Sequence, residues 1–505
     1  MKPATYFLET FGCQMNVLDS QLVAARLREM GLRRVDSPRE ADVVLFNTCS
    51  VRQHAEDKVL SRLGALRAVK NRRPETIIGV IGCMAERARE ELFTQVPHLD
   101  LLCGPGELHH LATLLVEVSE RHEQLAALAS SQARRTTAAQ RGQADDPLEV
   151  LDSSRRPVPD ESVLQSYVRV QRGCDKFCTY CVVPFVRGPE RSRPPANIVA
   201  EVRSLVAQGC REITLLGQTV NSYAYRDGER TVRFAELLEQ VHAIDGLDRI
   251  RFVTSFPADW DEDIFRVLRD CPRVCPYLHL PAQSGSDRVL KAMKRGYTVA
   301  EYLRIVDTAR RYVPDIALAG DFIVGFPGET EEDFQATVEL VRRVEYKSIF
   351  VFKYSPRPGT SAERAREDDV PAEDKSRRNN ELLAVQSEIS LRKRQALIGR
   401  TVEVLVEGYS KAARRLRTGD TDTEADAADG LPEGCAHDHA VSGIIASPRQ
   451  LAGRTPHDLI TVFDGEPAHI GTIVNVRIES VSPLTLFGTI AGIASPARGI
   501  PVHGA

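Results

Sequence analysis

The chain has 505 residues, 42 % of them apolar and 27 % charged, enough material for about three packed domains. A formal net charge of -4 excludes a molecule that binds nucleic acid by overall attraction, so any RNA contact must come from local basic patches. The eleven cysteines are too sparse for a disulfide-stapled secreted domain, no apolar leader follows Met1-Lys2-Pro3, and no apolar run reaches bilayer length. A soluble enzyme of a reducing cytosol, without a membrane partner, is therefore expected.

Residues 1–118 read as an α/β domain. Apolar runs predict strands at Thr5 to Leu8, Val43 to Phe46, Thr76 to Ile81 and Leu99 to Leu102, and helical periodicity separates them at Leu18 to Met30, Ala55 to Val69 and Glu86 to Phe93. Such alternation implies a parallel sheet. Cys13 falls soon after the first of these strands, Cys49 directly after the second and Cys83 directly after the third. The carboxyl ends of strands in an open parallel sheet share one edge, so three cysteines far apart in sequence become neighbours in one crevice. A three-cysteine site is expected there; the competing reading is three small buried residues at strand ends.

Periodicity fades over residues 119–162. Ala, Ser, Gln, Arg and Asp dominate Leu125 to Asp146, and Arg155, Arg156, Pro157 and Pro159 follow. This composition predicts a solvated linker with a helical start and no assigned role.

Residues 163–395 alternate again. Strands are predicted at Tyr167 to Val170, Glu212 to Leu216, Ile250 to Thr254, Tyr277 to Leu280, Ile316 to Val324 and Ser348 to Tyr354, with helices between them. Six βα units imply a partial (β/α)6 barrel whose reactive groups sit on the loops after the strands. The loop after the first strand reads Arg172-Gly173-Cys174-Asp175-Lys176-Phe177-Cys178-Thr179-Tyr180-Cys181. Three thiolates at this C-x3-C-x2-C spacing can hold three irons of a [4Fe–4S] cluster and leave the fourth iron open to a small molecule. Structural zinc sites use paired C-x2-C units instead. Polar and glycine-rich strand ends at Gly217-Gln218-Thr219, Thr254-Ser255-Phe256-Pro257, Pro281 to Ser286 and Gly325 to Thr330 share that rim, and Gln218 and Ser255 are candidates for cofactor contact.

Residues 396–495 switch to short strands: Val402 to Gly408, Leu459 to Phe463, Gly471 to Ile478 and Leu484 to Ile490 predict a small all-β barrel. Lys411, Arg414, Arg415 and Arg417 cluster after its first strand and are candidate RNA contacts. An acidic insert near 418–440 interrupts the barrel. Its Cys435-Ala436-His437-Asp438-His439 could ligate a metal, but the acidic, alanine-rich setting predicts a flexible insert.

Thr10-Phe11-Gly12-Cys13-Gln14-Met15-Asn16, Asn47-Thr48-Cys49-Ser50-Val51-Arg52, Gly82-Cys83-Met84-Ala85, the C-x3-C-x2-C run, His279 to Asp287 and Tyr354 to Thr360 together resemble the methylthiotransferase family of radical S-adenosylmethionine (SAM) enzymes, over nearly the whole chain. Within that family they are most similar to the bacterial branch acting on N6-isopentenyladenosine of tRNA. The resemblance implies an N-terminal domain carrying a second [4Fe–4S] cluster on Cys13, Cys49 and Cys83, and a barrel whose cluster on Cys174, Cys178 and Cys181 binds SAM. It also implies a C-terminal RNA-binding TRAM domain. The implied activity places a methylthio group on C2 of the adenine beside the anticodon and consumes two SAM per product. One SAM yields a 5′-deoxyadenosyl radical and the other methylates sulfur at the second cluster. Implied partners are the tRNA, an electron donor such as a flavodoxin or ferredoxin, and a sulfur source. The alternatives are the branches acting on threonylcarbamoyl-adenosine in tRNA or on an aspartate of a ribosomal protein, and a non-catalytic iron–sulfur RNA-binding or electron-transfer protein.

Overall fold

A computed structural model describes residues 3–50, 53–129, 147–153, 163–418 and 447–495. The acidic insert beyond Thr418, with Cys435 to His439, lies outside the described residues.

The N-terminal unit is a six-stranded parallel sheet. Its spatial order is Arg33–Arg34, Thr5–Phe11, Val43–Thr48, Ile77–Gly82, Leu101–Cys103 and Leu125–Ala127. Val43–Thr48 and Ile77–Gly82 are buried at every residue, as continuous β-branched and leucine runs require when helices cover both sheet faces. Register then levels the strand ends: Phe11 pairs with Thr48, and Thr48 with Gly82. The outermost strand, Leu125–Ala127, falls inside the expected linker; three residues are too few for a period to show.

A second departure from the solvated linker is the helix Pro147–Ser153, which is docked between the N-terminal unit and the next. Its Glu149 accepts from Arg193 Nε at 2.8 Å and Arg193 Nη2 at 2.9 Å, and its buried Asp152 accepts from Arg172. Arg193 is 1 % exposed, so these carboxylates neutralise a guanidinium that burial would otherwise make expensive by several kcal/mol.

The central unit is a partial barrel of six parallel strands in two runs. The first run is ordered Arg249–Val253, Glu212–Leu216, Gln165–Arg169, and the second Tyr277–His279, Ala317–Val324, Ser348–Lys353. A parallel bridge between Ile250 and Val274 joins the first run to the segment that leads into the second. One continuous apolar core, including Val168, Leu215, Phe252, Leu280, Phe322 and Tyr346, fills the space between strands and helices. A long helix, Ala372–Gln395, packs against the last of these strands and leads into the last unit.

That last unit is a closed five-stranded barrel, ordered Thr401–Tyr409, Gln450–Arg454, Ile460–Asp464, Thr485–Ser495, Ile473–Val481. Gln450–Arg454 is absent from the sequence reading because its Gln, Ala, Gly and Arg give no apolar alternation. The barrel docks on the amino ends of the central strands. Arg211 donates to Gly471 O at 2.6 Å, Arg249 to Glu403 at 2.8 Å and Arg251 to Thr455 O at 2.7 Å, while Lys347 pairs with Asp458. The carboxyl ends, from which the Cys174 to Cys181 loop departs, face the N-terminal unit instead.

Candidate active site

Cys13, Cys49 and Cys83 come together at the carboxyl edge of three adjacent strands. The level register puts Cys49 and Cys83 side by side, and Cys49 N donates to Phe11 O at 3.0 Å, which brings the first strand's end alongside. Gly12 allows the approach: its φ is +135°, and a Cβ there would stand 2.4 Å from Cys49 Cβ. Cys83 opens the helix Cys83–Ala88 and is 3 % exposed. A hydrogen bond with Cys49 and the charge of Arg187 bring the Cys13 thiol down to about 6 against the opposing effect of burial. Burial pushes the Cys83 thiol up, with Arg187 acting against it.

Cys174, Cys178 and Cys181 lie on the loop leaving the first central strand. Gly173, at φ +66°, is obligatory because a Cβ would sit 2.0 Å from Pro189 O. Burial pushes the Cys174 and Cys181 thiols up to about 12. The loop is tied at both ends. Thr179 N and Oγ1 donate to Met293 O and Ala292 O, each at 3.0 Å, and Lys176 pairs with Asp259 of the turn after the third strand. Arg295, 5 % exposed, organises the middle. Its guanidinium donates to Cys178 Sγ at 3.2 Å and to Pro281 O at 3.2 Å, and lies 4.7 Å from the Phe256 ring centroid.

Both donor sets suit a cluster better than a single ion. Around one tetrahedral zinc, with Zn–S near 2.3 Å, sulfurs stand about 3.8 Å apart. Among the described residues, the group of His, Cys, Asp and Glu ligand atoms lying wholly within 4.8 Å is Glu107, His109 and His110, not either cysteine triad. Thiolates bound to different irons stand farther apart than those around one ion, and in neither triad are all three sulfurs drawn in to that reach. Unsatisfied polar atoms line both crevices: among the described residues, the hydroxyls of Thr48 and Ser50 flank Cys49 without a hydrogen-bond partner, and so does the Ser255 hydroxyl on the barrel rim. Buried hydroxyls are seldom orphaned, and such groups await a ligand. Ser255 follows Thr254, a β-branched residue held at φ +69°, a strained conformation of the kind that collects at functional sites. Gln218 lies half-buried on the same rim.

The sequence reading missed Arg187, Arg295 and Glu190. Arg187 ends a five-residue helix and Arg295 stands in a loop, segments too short for a period to mark them as buried. Burial raises the Glu190 carboxyl to about 7, with Lys176 opposing, and the group accepts from Thr219 Oγ1 at 3.2 Å. Lys411, Arg414, Arg415 and Arg417 lie apart from both triads, exposed on the helix Lys411–Thr418 of the C-terminal barrel.

The two triads face each other across the unit boundary. Val182 and Val186, directly after Cys181, pack on Cys83, and Met15, Leu18 and Leu22 pack on Leu216. Two buried ion pairs pin the join: Arg169 to Asp19, and Arg187 to Asp19 at 3.0 Å.

Three family models match in the same order as the three units: the uncharacterized protein family UPF0004 over residues 5–104, the radical SAM superfamily over 168–341 and the TRAM domain over 441–491. Relatives match end to end. A protein of Rhodopirellula baltica is 46 % identical over 98 % of both chains, and one of Protochlamydia amoebophila is 46 % identical over 96 % of both. A third, of Sulfurihydrogenibium, is 40 % identical over 96 % of this chain and 99 % of its own. Each is named tRNA-2-methylthio-N(6)-dimethylallyladenosine synthase. With three matching units in the same order and near-complete coverage, the chain belongs to the tRNA-2-methylthio-N(6)-dimethylallyladenosine synthase family of radical SAM enzymes.

Proposed function

We propose that this chain methylthiolates C2 of N6-isopentenyladenosine beside the anticodon of tRNA, as the names of its relatives indicate. The observation that carries the reading is the meeting of two largely buried cysteine triads across one unit boundary, with Cys83 packed on the helix that follows Cys181. Cys174, Cys178 and Cys181 would hold one [4Fe–4S] cluster and SAM, and Cys13, Cys49 and Cys83 a second cluster. When bound, these groups supply the one-electron and sulfur-transfer chemistry that an inert aromatic C–H bond requires.

The chain's own residues do the rest. Arg295 donates to Cys178 Sγ and so fixes one ligand of the barrel triad. Ser255 and Gln218 offer a hydroxyl and an amide to the polar groups of SAM. Met15, Leu18, Leu22 and Leu216 wall one side of the crevice and keep water from it. The target adenine has to leave its stack, which costs little in a single-stranded loop. Lys411, Arg414, Arg415 and Arg417 would bind tRNA phosphates away from the reacting base, because their barrel is docked at the opposite end of the central strands. A flavodoxin or ferredoxin would deliver electrons, and a separate source the sulfur. We divide the chain into residues 1–129, 163–395 and 396–495. None of the ten described cysteines forms a disulfide, which suits a reducing cytoplasm. Among the described residues no helix is long and apolar enough to cross a membrane.

Nucleoside mass spectrometry of cells lacking the protein should show N6-isopentenyladenosine in place of its 2-methylthio derivative. Complementation with the Cys13, Cys49, Cys83 triple alanine variant should leave the base unmodified while the purified variant still cleaves SAM to 5′-deoxyadenosine. Normal methylthiolation by that variant would refute the assignment.

A further inference from the structure

Arg187 stands six residues after Cys181, at the end of the helix Val183–Arg187, yet its side chain belongs to the other triad. It is 7 % exposed and crosses into the N-terminal unit, where it donates to Asp19 Oδ2 at 3.0 Å and reaches Asn16 Oδ1 at 3.4 Å. Its charge acts on Cys83 and Cys13.

Arg187 ends a run in which four guanidiniums alternate with four carboxylates, from Asp19 and Arg169 through to Arg193 and Glu201. Asp19, 0 % exposed, gives its other oxygen to Arg169. Arg169 has a second carboxylate near it, Asp152 at 3.8 Å, but that group accepts from Arg172 as well. At this end of the run Arg187 has only a share of Asp19, and the other groups its charge meets among the described residues are a neutral amide and two cysteine sulfurs. A buried cation is tolerated only beside an anion. Asp19 is that anion, and negative charge on sulfur at the Cys13, Cys49, Cys83 site would be a second. Asn16 strengthens the arrangement. It accepts from Cys13 Sγ at 3.2 Å and donates to Asn47 Oδ1 at 2.9 Å, so the polar corner around these sulfurs is rigid before any ligand arrives.

We propose that Arg187 is a positioning residue that the SAM-binding loop lends to the second site: its guanidinium stabilises negative charge on the sulfurs of the Cys13, Cys49, Cys83 site and fixes that site in register with the Cys174, Cys178, Cys181 loop. Because one short helix carries both Val182 and Val186 against Cys83 and Arg187 against Asp19, a shift of the SAM loop is transmitted to the sulfur site. This rests on the second-cluster reading above. A positive charge beside a cluster favours its reduced, more negative state, as hydrogen bonds to cluster sulfur do.

The test uses the full chain with Cys174, Cys178 and Cys181 changed to alanine, which leaves only the second site. Iron content, midpoint potential and the paramagnetic resonance spectrum of the reduced state are measured for this parent and for its Arg187→Gln, Arg187→Lys and Asp19→Asn derivatives. A parent that holds no iron would sink the second-cluster reading and this proposal together. With iron retained, Arg187→Gln should shift the potential downward and change the spectrum, and Arg187→Lys should recover part of the shift. Asp19→Asn removes the competing carboxylate and should shift the potential upward. The opposite sign keeps the idea testable if the Arg187 variants lose their iron. Unchanged potentials in iron-loaded Arg187→Gln, or in Asp19→Asn, would overturn it.

Discussion

At the scale of single residues, two side chains separate holding the site together from waiting for a ligand. Arg295 belongs to the first kind: it donates to Cys178 Sγ and Pro281 O from a position 5 % exposed. Arg295→Met keeps most of the volume but strands those acceptors, so iron should fall from about eight to about four per chain, the share of one cluster. An iron assay on the reconstituted protein checks it, and 5′-deoxyadenosine should vanish in the same sample. Ser255 is of the second kind, because its buried hydroxyl bonds nothing among the described residues. Ser255→Ala should leave the unfolding free energy within about 0.5 kcal/mol of wild type while weakening SAM binding about fivefold, the worth of one neutral hydrogen bond of about 1 kcal/mol. Calorimetric titration beside thermal melts reads both. Neither residue was fully legible beforehand. Ser255 was visible as a polar group at a strand end, whereas Arg295 drew no reading from the sequence, and only the folded chain shows it buried against a sulfur.

At the scale of elements, the helix Glu331–Val344 shows how the rim after the fifth central strand is held. Thr330 and Asp333 form a capping box, and Asp333 also accepts from Ser286 Oγ at 2.6 Å and from Arg288. Burial alone would raise this carboxyl, but Arg288, Ser286 and Thr330 outweigh it and bring the group down to about 2. An unfolded aspartate titrates near 3.9. The native state thus binds fewer protons between these values, so the contribution is complete above about pH 4 and is lost as pH falls through 2. Asp333→Asn should lower stability at neutral pH by about 1 kcal/mol and flatten its decline on the acid side; melts from pH 7 to pH 2.5 test this. A capping pattern was present in the sequence as Thr330-Glu331-Glu332-Asp333. The partners Ser286 and Arg288 come from another strand end, and no local pattern announces them.

At the scale of the molecule, the barrel and the N-terminal unit occupy opposite ends of the central strands. Arg211, Arg249 and Arg251 fix the first at the amino ends, and Arg169 and Arg187 fix the second at the carboxyl ends. Changing Lys411, Arg414, Arg415 and Arg417 to glutamine should therefore weaken tRNA binding and reduce its salt slope by up to about 0.7 to 0.9 for each phosphate no longer neutralised. SAM cleavage without RNA and the choice of base should persist, since phosphate contacts position and base contacts specify. Binding isotherms at several salt concentrations decide it, and an unchanged slope would mean that the basic helix is only a solvated face.

The sequence by itself determined what depends on spacing and period: three units, the strand ends at which Cys13, Cys49 and Cys83 fall, and the single loop that carries Cys174, Cys178 and Cys181. Those features are local, or follow from the rule that parallel strands share an edge. Only the tertiary structure decided which charges are buried and with whom. Arg187 meets Asp19 across 168 residues of chain, and Arg211 meets Gly471 across 260. The docked helix Pro147–Ser153 and the edge strand Leu125–Ala127 were likewise invisible, one being polar and the other three residues long. Their stability comes from partners supplied by other units, and a pattern read along the chain has no access to partners that folding alone brings near.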